Sequence, residues 1–164
     1  YRSGERTFQL LTQAAGRAGR GDRPGEVVIQ TYDPEHYAIE ASAAQDYEAF
    51  YEKEIRYRSL MGYPPVENLM AVLAACEDEA LLEKACKYLK EYILRIKGQA
   101  QLNVIGPASP GVDKIKDIYR RVVYVKAPEY RTLVVLKDRM EQYIEINSGF
   151  QKMRIQFDFN PMNL

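Results

Sequence analysis

The apolar positions change period along the chain. From Glu5 to about Ala18, Phe8, Leu11, Ala14 and Ala15 recur at the spacing of one helix stripe. Gly25 ends that pattern, and the β-branched run Val27 to Thr31 predicts a strand. Asp33-Pro34-Glu35 is a helix-start signal, with Asp33 as cap and Pro34 in the first turn. His36 to about Leu60 reads as helix, interrupted near Gln45 and stopped by Gly62-Tyr63-Pro64-Pro65. Beyond about Val66 the pattern alternates between the two periods. Leu69 to Ala75 is a nearly continuous apolar run, Leu82, Cys86, Leu89, Ile93 and Ile96 make a helix stripe, and Leu102 to Ile105 the next strand. Ile118 to Val125 alternates, Leu133, Leu136, Met140, Tyr143 and Ile144 form a second stripe, and Met153 to Phe159 closes the set. That order predicts the α+β class, as a ferredoxin-like βαββαβ sandwich with two helices on one sheet face.

Charge balances at 23 basic against 23 acidic residues in 164. No global basic field therefore announces a nucleic-acid binder, and any such contact has to come from a local patch. The length holds one full domain and a fragment of another. Cys76 and Cys86 lack metal-ligand spacing and have no histidine nearby, which reads as two reduced, buried thiols and no metal site. No apolar run is long enough to span a bilayer, and no signal peptide is expected. His36, the only histidine, reads as a solvated helix residue, leaving a Ser/His/Asp arrangement without support. Glu52 and Glu54, two residues apart, point to different helix faces and read as solvated charge. Tyr37, Tyr47, Tyr51 and Tyr57 lie in the helical stretch, where aromatic rings pack a helix against a neighbouring domain more often than they stack bases.

The segment Gln13-Ala14-Ala15-Gly16-Arg17-Ala18-Gly19-Arg20 puts one amide and two guanidiniums at i, i+4 and i+7, hence on one helix face with little to cover them. Two readings are open. One is an ordinary helix C-terminus, capped by Gly19 or Gly21, with arginines complementing the dipole. The other is a pair of phosphate-binding arginines of the kind that neutralises charge on a transferring γ-phosphate. A second candidate is the basic run Lys114, Lys116, Arg120, Arg121 and Lys126, with Tyr119 and Tyr124 among them. Basic groups track phosphates while aromatic faces stack unpaired bases; equally, these are ordinary exposed strand residues. Strand alternation separates Arg120, Tyr124 and Lys126 from Tyr119 and Arg121, so the five charges make at most a partial groove.

The run from Tyr1 through Gln13 to Arg20, followed by Gly25-Glu26-Val27-Val28-Ile29-Gln30, resembles motif VI and the closing strand of the second RecA-like lobe of superfamily-two helicases. Asp46-Tyr47-Glu48-Ala49-Phe50-Tyr51-Glu52-Lys53-Glu54, Arg56, Tyr63-Pro64-Pro65, Gly106-Pro107-Ala108, Tyr119-Arg120 and Asp158-Phe159-Asn160-Pro161 extend the likeness over essentially the whole chain and narrow it to the PriA family of replication-restart helicases. Phe159 and Asn160 depart mildly from the family's usual ending.

The resemblance implies a division into residues 1–32 as the end of a RecA-like α/β lobe, 33–65 as a helical connector and 66–164 as the ferredoxin-like domain. It implies an ATP-dependent 3′-to-5′ DNA helicase, with Arg20 as arginine finger, Arg17 as second phosphate contact, and Gln13 with Gly16 completing the nucleotide side. ATP and magnesium belong to the full-length protein, and zinc to a cysteine-rich insertion absent from this chain. No cofactor is expected on this chain, which carries no Gly-x-x-x-x-Gly-Lys-Ser/Thr loop and so is expected not to hydrolyse ATP alone. Implied partners are forked or single-stranded DNA, single-strand binding protein and other primosome proteins, with no membrane, in a bacterial cytoplasm at the nucleoid. The C-terminal domain would contact DNA through Lys114, Lys116, Tyr119, Arg120, Arg121 and Lys126, or dock a protein tail in a basic pocket near Arg131. A non-catalytic RNA- or protein-binding module is the alternative. The chain opens inside a motif without a methionine and is expected to be an excised, monomeric fragment, in which pairing through residues 5–32 would be an artefact.

Overall fold

The nine-residue strand β1 (Asn68–Cys76) lies inside an antiparallel sheet and takes a partner on each edge. The computed structural model describes residues 1–18 and 25–162, and the chain divides into two compact units, Tyr1–Met61 and Gly62–Leu164. In the second unit β1 is followed by α4 (Glu79–Ile96), β2 (Asn103–Ala108), β3 (Lys114–Ile115), β4 (Ile118–Ala127), α5 (Tyr130–Ile146) and β5 (Arg154–Phe159). The first unit holds α1 (Ser3–Ala18), α2 (Tyr37–Ala44) and α3 (Tyr47–Met61).

The sheet order is β2-β4-β1-β5, with all pairings antiparallel and β3 attached to β4. This is the split βαβ arrangement of a ferredoxin-like sandwich, as the apolar pattern predicts. Alternate β1 residues Met70, Val72, Ala74 and Cys76 share one face with Val123 and Val125 of β4, and meet Leu82, Leu89 and Ile93 of α4 and Leu133 and Met140 of α5. Burying a leucine-sized side chain contributes about 1.5–3 kcal/mol, so this single apolar layer is what holds the sheet to its helices. Asp78 caps α4, its carboxylate accepting the Leu81 N–H at 2.9 Å. Cys76 and Cys86 are buried, free thiols, and burial raises the Cys86 thiol to about 11.

β3 is missing from the sequence reading, which leaves Gly106 to Asp117 as a loop. Lys116 and Asp117 both take positive φ, 47° and 62°, and so form a two-residue hairpin turn between β3 and β4. Lys-Asp is a weak signal for such a turn compared with Asn-Gly, although aspartate tolerates the left-handed region.

In the first unit three expectations are corrected. Val27 to Thr31 forms no strand: no described segment of the chain pairs with it, and a β-branched run without a neighbour has no ladder to join. Asp33 does not cap α2. His36 does, its Nδ1 accepting the Ala38 N–H at 3.2 Å while its ring stacks on Tyr37 at 4.5 Å. The Asp33 carbonyl instead closes a turn onto the His36 N–H at 3.3 Å. The break near Gln45 is present, with Gln45 left-handed (φ 54°) between α2 and α3. α1 packs through Phe8, which stacks on Phe50 of α3 at 4.3 Å, over Ala38 and Ala41 of α2.

Glu54 corrects the reading of Glu52 and Glu54 as solvated. Glu52 is exposed, but Glu54 is 5% exposed, bonded to Arg58 on its own helix at 2.7 Å and to Tyr37 of α2 at 2.5 Å. The i, i+4 spacing of Glu54 and Arg58 is legible in sequence; their burial depends on α1 and α2. Glu5 of α1 joins them, held at about 2 by hydrogen bonds from Arg2 and Arg58 that outweigh the cost of partial burial. A carboxyl lowered on folding contributes stability that is complete above its unfolded value and drains away as pH falls towards the folded one. Amide exchange along α1 is therefore expected to accelerate between about pH 5 and pH 2, with that acid step reduced in Glu5→Gln.

Among the described residues, no helix is long and apolar enough to cross a membrane.

Candidate nucleotide and nucleic-acid contacts

Gln13, Gly16 and Arg17 are exposed on α1, with Gln13 and Arg17 on the side of the helix turned away from Phe8. A β-carbon placed on Gly16 would meet nothing within 4 Å, so the helix surface beside Arg17 is open. An amide and an always-charged fork on an uncovered face form a donor set suited to phosphate oxygens. The nucleotide-side residues named above fit an ATP phosphate in chemistry, one helix turn apart. Arg20, together with the proposed caps Gly19 and Gly21, lies outside the described residues.

The basic run is divided by the sheet. Arg121 lies on the helix side, bonded to Glu79 at 2.7 Å and to Glu83, and these hydrogen bonds raise its pKa. It fastens β4 to α4. Tyr119 is on the same side, packed against the core and beneath Lys114, whose ammonium is 4.7 Å from the ring centroid and 2.9 Å from the Asp117 carboxylate. Lys126 is on the sheet face opposite α4 and α5 but only 6% exposed, its ammonium 3.9 Å from the centroid of the Tyr63 ring, and burial lowers its pKa. Tyr124 is half-buried on that face, its pKa raised by burial. The interleaved cation-and-ring surface is thus not assembled.

What the sheet assembles instead is a smaller groove on its helix-free face. Ala75 of β1 pairs with Arg120 of β4 on one side and Arg154 of β5 on the other. Strands lie about 4.8 Å apart, so the two arginines stand two strand spacings from each other across a residue too small to fill the gap. Lys116, at the β3–β4 turn, joins them around a cavity of about 290 Å³ floored by Leu73, Ile115 and Ile118. Among the described residues, the salt bridges of this unit engage Arg121, Lys114 and Lys137 and leave Lys116, Arg120 and Arg154 without a carboxylate. Arg120 makes one long bond, at 3.4 Å, to the Val112 carbonyl. Arg154 was not named as a candidate from the sequence; only the register of β5 against β1 brings it beside Arg120.

A second cavity of about 290 Å³ opens where α5 begins, with Lys97, Arg131 and Arg139 around Ile96, Leu102 and Val135, and Glu129 at its edge. This is where the sequence reading places a basic pocket near Arg131. No group of histidine, cysteine and carboxylate side chains able to hold a metal occurs among the described residues.

A helical unit and an antiparallel α+β sandwich with a cationic groove define a protein of the α+β class. The chain belongs to the PriA family: residues 59–162 match the family described as Primosomal protein N C-terminal domain. It is similar to Replication restart protein PriA of Bacillus subtilis (strain 168), 35% identical over 161 residues, covering 98% of this chain and 20% of that protein. The namesake from Synechocystis sp. is 34% identical over all of this chain and 19% of its own length. That of Thermotoga maritima is 37% identical over 129 residues, 79% of this chain and 17% of the relative. The chain therefore spans about a fifth of the relatives' length. A solved structure titled De novo designed protein Foldit4 overlays with a TM-score of 0.42 at 14% identity, covering 57% of this chain and 94% of that one.

Proposed function

We propose that this chain is the C-terminal part of an ATP-dependent 3′-to-5′ DNA helicase that recognises stalled or branched replication forks and loads the primosome for restart. The observation that supports this best is the likeness to replication restart proteins along almost the entire chain, including Gln13 through Arg20. Bound ATP with magnesium supplies the phosphoryl group and its counter-charge. In this reading Arg17 and Arg20 would contact the phosphate oxygens from the second lobe, Arg20 as the finger, and Gln13 would tie nucleotide state to lobe closure. The rest of the nucleotide site comes from outside these residues, because the 164 contain no phosphate loop.

The α+β domain contributes the groove of Lys116, Arg120 and Arg154, which holds the phosphate backbone of forked DNA. With no ring on its floor, the groove reads backbone and not bases. The cavity around Arg131 offers a second contact: three cations around an apolar wall suit the acidic, apolar tail of a single-strand binding protein. Both are tested on the purified chain by fluorescence anisotropy with labelled single-stranded, duplex and forked DNA across a salt series. Binding to forked and duplex DNA is expected, with an affinity whose logarithm falls by about 2–3 per tenfold rise in salt, as three phosphate contacts require. Absence of binding at low salt removes the DNA reading of this domain and leaves the tail cavity.

A further inference from the structure

The first unit buries charge that its fold does not need. Its apolar core is small, Phe8, Ala38, Ala41 and Phe50, and beside it sit Glu54 at 5% and Arg58 at 9% exposure. Arg58 Nη2 donates to Glu5 of α1 at 2.8 Å and to Glu54 of α3 at 2.7 Å. Arg2 donates to Glu5 at 2.7 Å, and the Tyr37 hydroxyl of α2 donates to Glu54 at 2.5 Å. Two carboxylates, two guanidiniums and a phenol thus connect all three helices. Apolar residues of equal volume commonly serve stability as well as a buried ion pair does; what such a pair supplies in the best-attested cases is one fixed arrangement among several. Gly4 tightens that arrangement. A β-carbon there would stand 2.6 Å from the Tyr37 hydroxyl and 3.0 Å from a Glu54 oxygen, so α1 approaches the network too closely for even a methyl group.

The location of the anchor on α1 gives it a consequence. At about 100° per residue, Gly4 and Glu5 lie within about 60° of Phe8, whereas Gln13 and Arg17 lie about 140° and 180° from it. The anchor and the open donor pair thus occupy different faces of one helix, with Arg17 opposite Phe8. Any rotation of α1 on α2 and α3 swings Gln13 and Arg17 by the same angle.

We propose that Glu5, Glu54, Arg58 and Tyr37 are positioning residues for Gln13 and Arg17, setting the rotation of α1 on the helical pair behind it. The inference rests on the reading of the Gln13–Arg17 face as phosphate-facing. A displacement of about 1 Å at a catalytic group can cost about 100-fold in rate, so loosening the anchor acts on turnover more than on binding.

The test places Glu5→Gln and Arg58→Met, separately, in the full-length protein that carries this chain, with Arg17→Ala alongside. DNA-stimulated ATP hydrolysis gives kcat and KM, and amide exchange on the 164-residue chain reports α1. The expected result is faster exchange over residues 9–17 and a kcat lowered about 10-fold or more, with KM for ATP unchanged. A merely structural role would lower the active fraction in proportion to the unfolded fraction seen by circular dichroism, and normalising to folded protein would restore kcat. If Arg17→Ala silences hydrolysis while both anchor variants keep a normal kcat, the positioning role is overturned and the phosphate-facing reading stands. If Arg17→Ala itself leaves hydrolysis intact, that reading falls and the inference with it. Should Arg58→Met fail to fold, the nearly isosteric Glu5→Gln decides.

Discussion

Alanine at both Arg17 and Arg20 is expected to lower ATP turnover by the full-length protein about 10³-fold or more, while ATP and DNA affinities change little. The physical reason is that an arginine finger acts mainly on charge developing in the transition state, which ground-state binding does not feel. A loss of that size corresponds to about 4 kcal/mol of barrier, since a tenfold change in rate is about 1.36 kcal/mol. Arg17 stands on the open face of α1 with Gln13 one turn before it, so its removal leaves no buried partner behind and little stability is lost with it. The measurement is steady-state ATP hydrolysis at saturating forked DNA, with nucleotide binding followed separately by a fluorescent analogue. A variant that lost nucleotide binding in the same proportion as turnover would show the arginines to be ground-state contacts. Unchanged turnover would return Gln13 through Arg20 to the plain reading of a basic helix end.

Neutralising Lys116, Arg120 and Arg154 together is expected to weaken binding of forked DNA by about 10²–10³-fold near 0.1 M salt. Each phosphate contact contributes about 0.9 to the salt slope, so the slope should flatten by about 2–3 as well. The two effects have one origin, counterion release, and must change together. Arg121→Ala serves as the control. Its guanidinium is engaged by Glu79 and Glu83 on the helix side of the sheet, so its loss should lower the melting temperature and leave the salt slope unchanged. A triple variant with a normal slope would place the DNA contacts outside this groove, and a flattened slope in Arg121→Ala would mean that β4 presents its other face.

The apolar stripes were sufficient for the α+β domain because each helix and strand there buries one face continuously. Leu82, Cys86, Leu89 and Ile93 recur on one side of α4, and all four are buried. The Val27 to Thr31 segment failed as a strand for the complementary reason: β preference is a statement about neighbours, and the described chain offers none. The cap falls on His36 and not on Asp33 because capping depends on where the first helical residue falls, and Asp33-Pro34 is a stronger local signal than the one the chain uses. Glu54 was read as solvated because its burial comes from Tyr37 and from the approach of Gly4, seventeen and fifty residues away in sequence.

What the sequence determined by itself was the class of the domain, the order of its helices and of every strand but β3, and the kinship with the PriA family; these rest on periodicity and local motif, which the linear chain contains in full. It also determined that Arg120 and Arg121 stand on opposite faces, since strand alternation allows nothing else. Which of those faces carries the helices, and which other cation meets Arg120 there, was decided only by tertiary structure. The register of β4 and β5 against β1 puts Arg120 and Arg154 on either side of Ala75, and register is a property of strands from distant parts of the chain packing against a common core.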